Sequence, residues 1–266
     1  AVRRIETAYD SRGLVNRITS YDNATVGSGA VLNEVVPSYN GFGQVTAESQ
    51  SHTGAVNVST TPKVQYAYAD GSSNTIRPTG LTYPNGRALT YGYGTAGTLG
   101  DLASRVTELK EGASTRVEYG YLGLSGVVTT RYPEPGVTYT LVGTAGGVDS
   151  DTGDIYHGLD RFGRVKDAYW HKASGSVDVA RIQYGYDRAS NRTWRYDVVA
   201  RGLSQSLDEL YQYDGLQRLK SLDRGQLDTP RTGLDSGTGS FGECWTLDET
   251  GNWKGYRRDH TGDGAW

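Results

Sequence analysis

The chain has 266 residues, a formal net charge of -3 and an apolar fraction of only 36%. These values exclude a membrane-spanning helix, which needs about 20 consecutive apolar residues, and the lack of basic excess argues against a general nucleic-acid binder. An aromatic content of 11% at so low a net charge excludes a disordered chain, and glycine at no fixed interval of three excludes collagen.

Composition then narrows the fold class. With 37 Gly, 20 Tyr, 3 Phe, 7 Pro and no Met, the chain suits short strands joined by tight turns. Stretches with 3.6-residue apolar periodicity are missing, so long helices are not expected. The cations are mostly arginine, which lies flat on tyrosine faces and pairs bidentately with carboxylates, as expected for a ladder of rings and ion pairs. Cys244 is the one cysteine, so no internal disulfide forms. It lies in a predicted strand, where a buried, inert thiol is expected. Neither a leader peptide nor an initiator Met is visible.

In chain order, an aromatic doublet recurs: Tyr9-Asp10, Tyr39-Asn40, Tyr66-Ala67-Tyr68, Tyr91-Gly92-Tyr93, Tyr119-Gly120-Tyr121 and Tyr156-His157. It continues as Tyr184-Gly185-Tyr186-Asp187, Tyr211-Gln212-Tyr213-Asp214 and Trp245-Thr246-Leu247-Asp248. Starts near 9, 39, 66, 91, 119, 156, 184, 211 and 245 give a drifting period of roughly 30 residues, within the range of repeat architectures. Nine units in one array over 1–266 follow from this spacing.

Each doublet opens the same grammar. A strand with period two puts both rings of Tyr-x-Tyr on one face. Asp then caps a reversal whose fourth residue, Gly or Asn, accepts a positive φ. Signature positions are Asp10 with Gly13, Gly43 after Tyr39, Asp160 with Gly163 and Arg164, Asp187, Asp214, and Asp248 with Gly251. The returning strand alternates, so each unit reads as a β-hairpin with one aromatic face. A lone hairpin is marginal in water, and a row of them covers its faces by pairing with its neighbours. Sheets twist with a fixed hand, so the expected fold is all-β: antiparallel hairpins stacked into a spiralling, solenoid-like sheet. The segments 82–87 (TYPNGR) and 131–136 (RYPEPG) read as turns between units.

These residues resemble the YD repeat of the Rhs (rearrangement hot spot) family, whose motif is roughly Tyr-x-Tyr-Asp-x-x-Gly-Arg. The matching segments are 9–18 (YDSRGLVNRI), 156–170 (YHGLDRFGRVKDAYW), 184–197 (YGYDRASNRTWRYD) and 211–225 (YQYDGLQRLKSLDRG). The wording of 80–94, 132–140 and 247–256 is similar to YD-repeat proteins of planctomycete bacteria. The resemblance implies a ribbon of hairpins that in relatives closes into a hollow shell around a toxin, and in teneurins into an extracellular barrel. It also implies a secreted or cell-surface location. The Asp-Pro-x-Gly core with a self-cleaving aspartate that ends full-length Rhs shells is not found in this sequence, and a segment of a longer shell, or a subunit covered by copies of itself, is expected.

Candidate chemistry is sparse. Gly92–Gly97 spells G-x-G-x-x-G, but the phosphate-binding version needs a βαβ unit, so a turn is expected. Asp151 and Asp235 begin D-[ST]-G triplets that imitate an aspartic-protease pair sharing one proton, and both read as turns. Asp149, Asp151 and Asp154 are weak calcium candidates without the distal Glu of an EF-hand loop. His52, His157, His171 and His260 lack metal-ligand spacing. Trp170, Trp194, Trp245 and Trp253 serve as ring ladders or, as an alternative, line a glycan- or protein-binding groove. A non-enzymatic structural repeat protein without cofactor is expected, either a segment of an extracellular shell or a self-assembling extracellular fibre subunit, with exposed strand edges as working surfaces and a second copy or the rest of a shell as partner. The alternatives are an aromatic recognition module and part of a self-cleaving core.

Overall fold

The computed structural model describes residues 1–69, 76–141, 158–172, 174 and 177–264. The chain divides into two compact units, Ala1–Glu118 and Tyr119–Trp266. The first holds β1 (Arg4–Tyr9), β2 (Val15–Tyr21), β3 (Val31–Tyr39), β4 (Val45–Ser51), β5 (Lys63–Tyr68), β6 (Pro78–Thr82) and β7 (Ala88–Gly92). A four-residue helix, α1 (Leu99–Leu102), then leads to β8 (Glu108–Glu111) and β9 (Ser114–Leu122), within which the division falls. The second unit continues with β10 (Gly126–Tyr132), β11 (Val137–Thr140), β12 (Asp167–Lys172), β13 (Val177–Tyr186) and β14 (Arg192–Asp197). After α2 (Val198–Gly202) come β15 (Asp208–Tyr213), β16 (Leu219–Gly225), β17 (Phe241–Leu247) and β18 (Trp253–Asp259). Among the described residues every strand pairs antiparallel with its successor, so the fold is an all-β array of hairpins.

The hairpin tips obey one rule. At 10–14 the Asp10 N–H donates to the Leu14 carbonyl (2.8 Å) and the Gly13 N–H to the Asp10 carbonyl (3.0 Å). The same two bonds close 40–44, 83–87, 160–164, 187–191, 214–218 and 248–252. This is a three-residue loop: a type I turn, then one left-handed residue that forms a bulge. The bulge appears in the register, where Tyr9 opposes Val15, Tyr39 opposes Val45, and Tyr213 opposes Leu219. The left-handed position is Gly163 at φ +75° in one tip, but Ser190 at +70° and Gln217 at +64° in two others. Those two tips therefore carry backbone strain that a glycine would relieve.

The doublet glycines serve a different end. Gly185 faces Trp194 across the β13–β14 pair, and a Cβ there would lie 2.0 Å from the indole nitrogen. The middle residue of Tyr-Gly-Tyr is thus small because a cross-strand side chain lies flat on it.

Among the described residues two doublets depart from the expected grammar: Tyr119-Gly120-Tyr121 runs into Leu122 and Gly123 with no Asp, and the other meets a helix. Tyr91-Gly92-Tyr93 leads to α1 and not to an Asp-x-x-Gly reversal. The Arg105 N–H bonds the Gly100 carbonyl (2.8 Å) past Ser104, which stands at φ +51°. The α2 connection ends the same way, with Gln205 on Ala200 (2.9 Å) past Ser204 at φ +58°. In both, the helix begins with the chain extended at Thr98 or Asp197, so the reversal is spread over a longer connection.

Burial is unusual. Among the described residues the buried apolar side chains are Tyr93, Val128, Ala200 and Leu227, while Thr19, Ser20, Glu34, Ser49, Asp160, Asp208, Ser221 and Asp259 are buried polar ones. Cys244 is half-buried in β17, more open than the sequence suggests, because the two-sided sheet gives it no thick apolar layer. Backbone ladders and cation–ring stacks replace that layer. Arg4 lies 4.1 Å from the Tyr21 ring, Arg192 4.2 Å from Tyr184, and Arg231 4.3 Å from Trp194 and 4.7 Å from Tyr196.

Candidate functional site

The signature residues converge on the hairpin tips. Within each tip the Asp or Asn carboxyl or amide oxygen accepts local N–H groups: Asp10 from Arg12 (2.9 Å) and Leu14 (3.0 Å), Asp214 from Leu216 (2.9 Å) and Arg218 (3.0 Å). Asn40, Asp160 and Asp248 repeat the pattern. Such bonds favour the carboxylate. The Leu14 N–H holds Asp10 below the usual range, the Arg218 side chain does so for Asp214, and the Asn191 amide for Asp187. Burial pushes Asp160 up, yet the Arg164 N–H and guanidinium outweigh it and the net direction is down. In Asp248 the Asn252 amide leads and the carboxyl falls to about 2.

Successive tips are joined by two side-chain bonds that the motif does not advertise. Arginine reaches forward. Arg164 binds its own Asp160 (2.6 Å) and the next tip's Asp187 carbonyl (3.2 Å), and Arg218 binds Asp214 (2.7 Å) and the Asp248 carbonyl (2.7 Å). Arg12, two positions earlier in its tip, does the same with Asp10 (2.9 Å) and the Asn40 carbonyl (2.8 Å). Tyrosine reaches back. The hydroxyls of Tyr39, Tyr186 and Tyr213 donate to the carbonyls of Val15, Val165 and Arg192, each at 2.8 Å. Each acceptor lies five residues after the Asp or Asn that opens the preceding tip. Between 187–191 and 214–218 no arginine is used, and Asn191 bonds Gln217 beside the Tyr213 bond. Between 214–218 and 248–252 Leu247 stands where tyrosine is expected, and Arg218 alone makes the join. The arginine bias was the one sequence signal for these clasps.

Other predicted residues sit in the strands. Tyr66 and Tyr68 end β5, Tyr91 lies in β7, and Tyr119 and Tyr121 lie in β9. Burial, then the neighbouring Tyr83 and Tyr66, raises the Tyr91 hydroxyl, and burial raises that of Tyr119. Tyr93 donates to the Pro78 carbonyl (2.6 Å) beneath Arg77, 4.3 Å away. Tyr184 lies under Arg192, and Tyr211 donates to Glu209, which Arg224 also binds (2.6 Å). Burial followed by the Glu209 bond raises Tyr211. Trp170 packs between Tyr132 and Tyr139, and Trp245 meets Trp253 and Tyr256 at 6.4 and 6.0 Å.

Three buried carboxylates are unmarked in the sequence: Glu34 and Asp208 tie long connections to the strands, and Asp259 folds the segment that follows its own strand. Glu34 accepts from Thr19 (2.8 Å) and from the Val56 N–H (2.9 Å) of the β4–β5 loop. Asp208 accepts from the N–H groups of Asp197 (2.9 Å) and Leu227 (3.0 Å), with Arg201 at 3.4 Å. Asp259 accepts from Thr261, Gly262 and Gly264 at 2.7–2.9 Å. That segment crosses so close to Gly239 that a Cβ there would lie 2.0 Å from the Gly262 carbonyl oxygen.

Candidate chemistry is dispersed. Asp235 opens the turn to Thr238 and pairs with Arg201 (2.9 Å), while Asp149, Asp151, Asp154, Tyr156 and His157 lie outside the described residues. His52 and His260 are exposed, and His171 lies beside Tyr169. Gly94 and Gly97 take positive φ in a connection to antiparallel β8, without a crossover helix. A recess of about 250 Å³ in the second unit is lined by Asp223, Asp259, Leu234 and Phe241. Burial and then the Asp259 charge raise the Asp223 carboxyl. Among the described residues no group of three His, Cys, Asp or Glu could hold a metal ion, and no helix is long and apolar enough to cross a membrane.

No family model and no curated protein matches the chain. Solved structures do. The Tc holotoxin pore of Photorhabdus luminescens aligns with 96% of the chain at a TM-score of 0.55 and 11% identity. The crystal structure of TcdB2-TccC3-TEV aligns with 97% at 0.53 and 11%, and that of TcdB2-TccC3-Cdc42 with 96% at 0.54 and 10%. The chain spans 14% to 15% of the length of those chains. At such identity the likeness is one of fold: this chain shares the β-hairpin repeat architecture of a stretch of Tc toxin chains.

Proposed function

We propose that this chain is a non-enzymatic wall segment of a larger Rhs/YD-type shell, carried by a secreted or cell-surface bacterial protein. The observation that carries the reading is the clasped tip. Asp, Arg and Tyr of the repeat are spent on their own turn and on the neighbouring one, which is what a wall requires and what a catalytic site does not. The likeness to a short stretch of much longer Tc toxin chains supports a role as part of a longer array. Asp235 belongs to this reading as a turn residue tied to Arg201, and no cofactor enters it. The reading is tested by isolating the parent polypeptide with an antibody raised to this chain and imaging it by negative-stain electron microscopy. Closed particles with an enclosed volume are expected; solid or extended particles overturn the shell.

A further inference from the structure

In the second unit one row of residues lies under a recess. Leu210, Asp223, Gly242 and Asp259 are successive register partners on β15, β16, β17 and β18, so they share one face of the sheet. Gly242 places no side chain between the two acids. The recess, of about 250 Å³, has Leu210, Leu234 and Phe241 as apolar walls, and Asp223 and Asp259 supply its carboxylates.

The two acids differ in what they already hold. Asp259 accepts the N–H groups of Thr261, Gly262 and Gly264 at 2.7–2.9 Å. Asp223 is half-buried, and its side chain has no partner among the described residues. Every other described strand acid of this unit has one. Asp167 binds Arg181 and Glu209 binds Arg224, both at 2.6 Å, and Asp197 binds Arg195 at 3.2 Å. Asp178, Asp208 and Glu243 accept from Tyr169, Leu227 and Tyr256. Burial and the Asp259 charge both raise the Asp223 carboxyl, with no cation beside it to oppose them. The walls are fixed from both sides. Leu234 belongs to the connection that Leu227 ties to Asp208 (3.0 Å) and Arg231 ties to the Trp194 ring (4.3 Å). Gly262 and Gly264 are held by Asp259.

An unpaired carboxylate between apolar walls suits a cation that brings its own hydrocarbon. The volume lies below the roughly 300–1,000 Å³ of ordinary ligand pockets, which limits the occupant to one short stem. A guanidinium is weakly hydrated and pairs bidentately with a carboxylate, and it is the group this chain itself sets on Asp167, Asp197 and Glu209. We propose that the recess binds an alkyl guanidinium, with Asp223 as its anchor and Leu210 and Leu234 against the stem. Asp259 adds charge and keeps its own bonds. The stem belongs to an arginine side chain of another polypeptide or to a free small molecule. Binding needs only the sheet of the second unit, so it stands or falls apart from the shell.

Saturation-transfer NMR of the full chain with N-butylguanidinium, and with N-butylurea as its uncharged counterpart, tests it. Saturable binding of the cation is expected, about tenfold tighter than that of the urea. Asp223→Asn is expected to weaken the cation about tenfold without lowering the melting temperature, since this acid has no bond to lose. Absence of saturable cation binding overturns the site. So does a urea that binds equally well, a comparison that needs no variant, and so does cation binding that survives Asp223→Asn. Acetyl-Gly-Arg-Gly-amide separates the two sources. Binding as tight as that of N-butylguanidinium supports an arginine side chain as the occupant, and binding of the free cation alone supports a small molecule.

Discussion

The hairpin tips and the long connections use the same functional group in opposite ways. At the tips, Asp10, Asp187, Asp214 and Asp248 sit where water reaches them, and each bonds the N–H groups of its own five-residue turn. In the connections, Glu34 and Asp208 are 2% and 0% exposed, and each bonds an amide from a segment about twenty residues away. Such a tip carboxylate competes with solvent and shapes one turn; Asp160, 8% exposed, is the buried exception among these tips. A buried carboxylate has no solvent to return to, so removing it strands its donors. Local order is thus held by many weak, interchangeable bonds, and the connections by few that have no substitute.

The sharpest way to break this contrast is Asp208→Ala. It orphans the Asp197 and Leu227 amides and leaves Arg201 with only Asp235, and an expected cost of about 3 kcal/mol is measurable by denaturant titration. Glu34→Ala is expected next, at about 2 kcal/mol, with faster amide exchange concentrated at Val56 and its loop. Tyr186→Phe removes one back-reaching bond, and about 1 kcal/mol is expected, with exchange rising around Val165. If the two buried carboxylates cost no more than the tyrosine, the contrast fails.

The smallest effect is at an exposed tip, where the sign of the pH dependence is the readout. The folded-state carboxyl of Asp248 lies at about 2, below the ordinary carboxyl of an unfolded chain near 4. Its contribution is therefore present above that higher value and is lost as pH falls through the lower one. The difference in melting temperature between wild type and Asp248→Asn is expected to be largest near neutrality and to shrink between about pH 4 and pH 2.

Much of this was legible in the sequence, and the limits have physical reasons. Tyr9-Asp10-x-x-Gly13 predicts its own turn because every bond in it is local. The stacking of arginine on rings was readable from composition, since Arg192 of β14 lies on the Tyr184 ring of β13 within one hairpin. The forward clasp of Arg164 was not, because its second partner lies 23 residues away. Glu34 and Asp208 resemble any strand acid, and only the path of a distant loop shows what they hold. The α1 connection was missed because Tyr91-Gly92-Tyr93 carries the doublet without the Asp that closes a tip.

The scarcity of buried apolar side chains has a thermal consequence. Exposing apolar surface raises the heat capacity of a chain and exposing polar surface lowers it, and ordinary domains gain about 12–15 cal/mol/K per residue on unfolding. Here the buried set is mainly Thr, Ser, Asp and Glu, so calorimetry is expected to give an increment below that range. A small increment flattens the stability curve. A hairpin array held by ladders and clasps is therefore expected to show a less curved dependence of folding free energy on temperature than an ordinary domain.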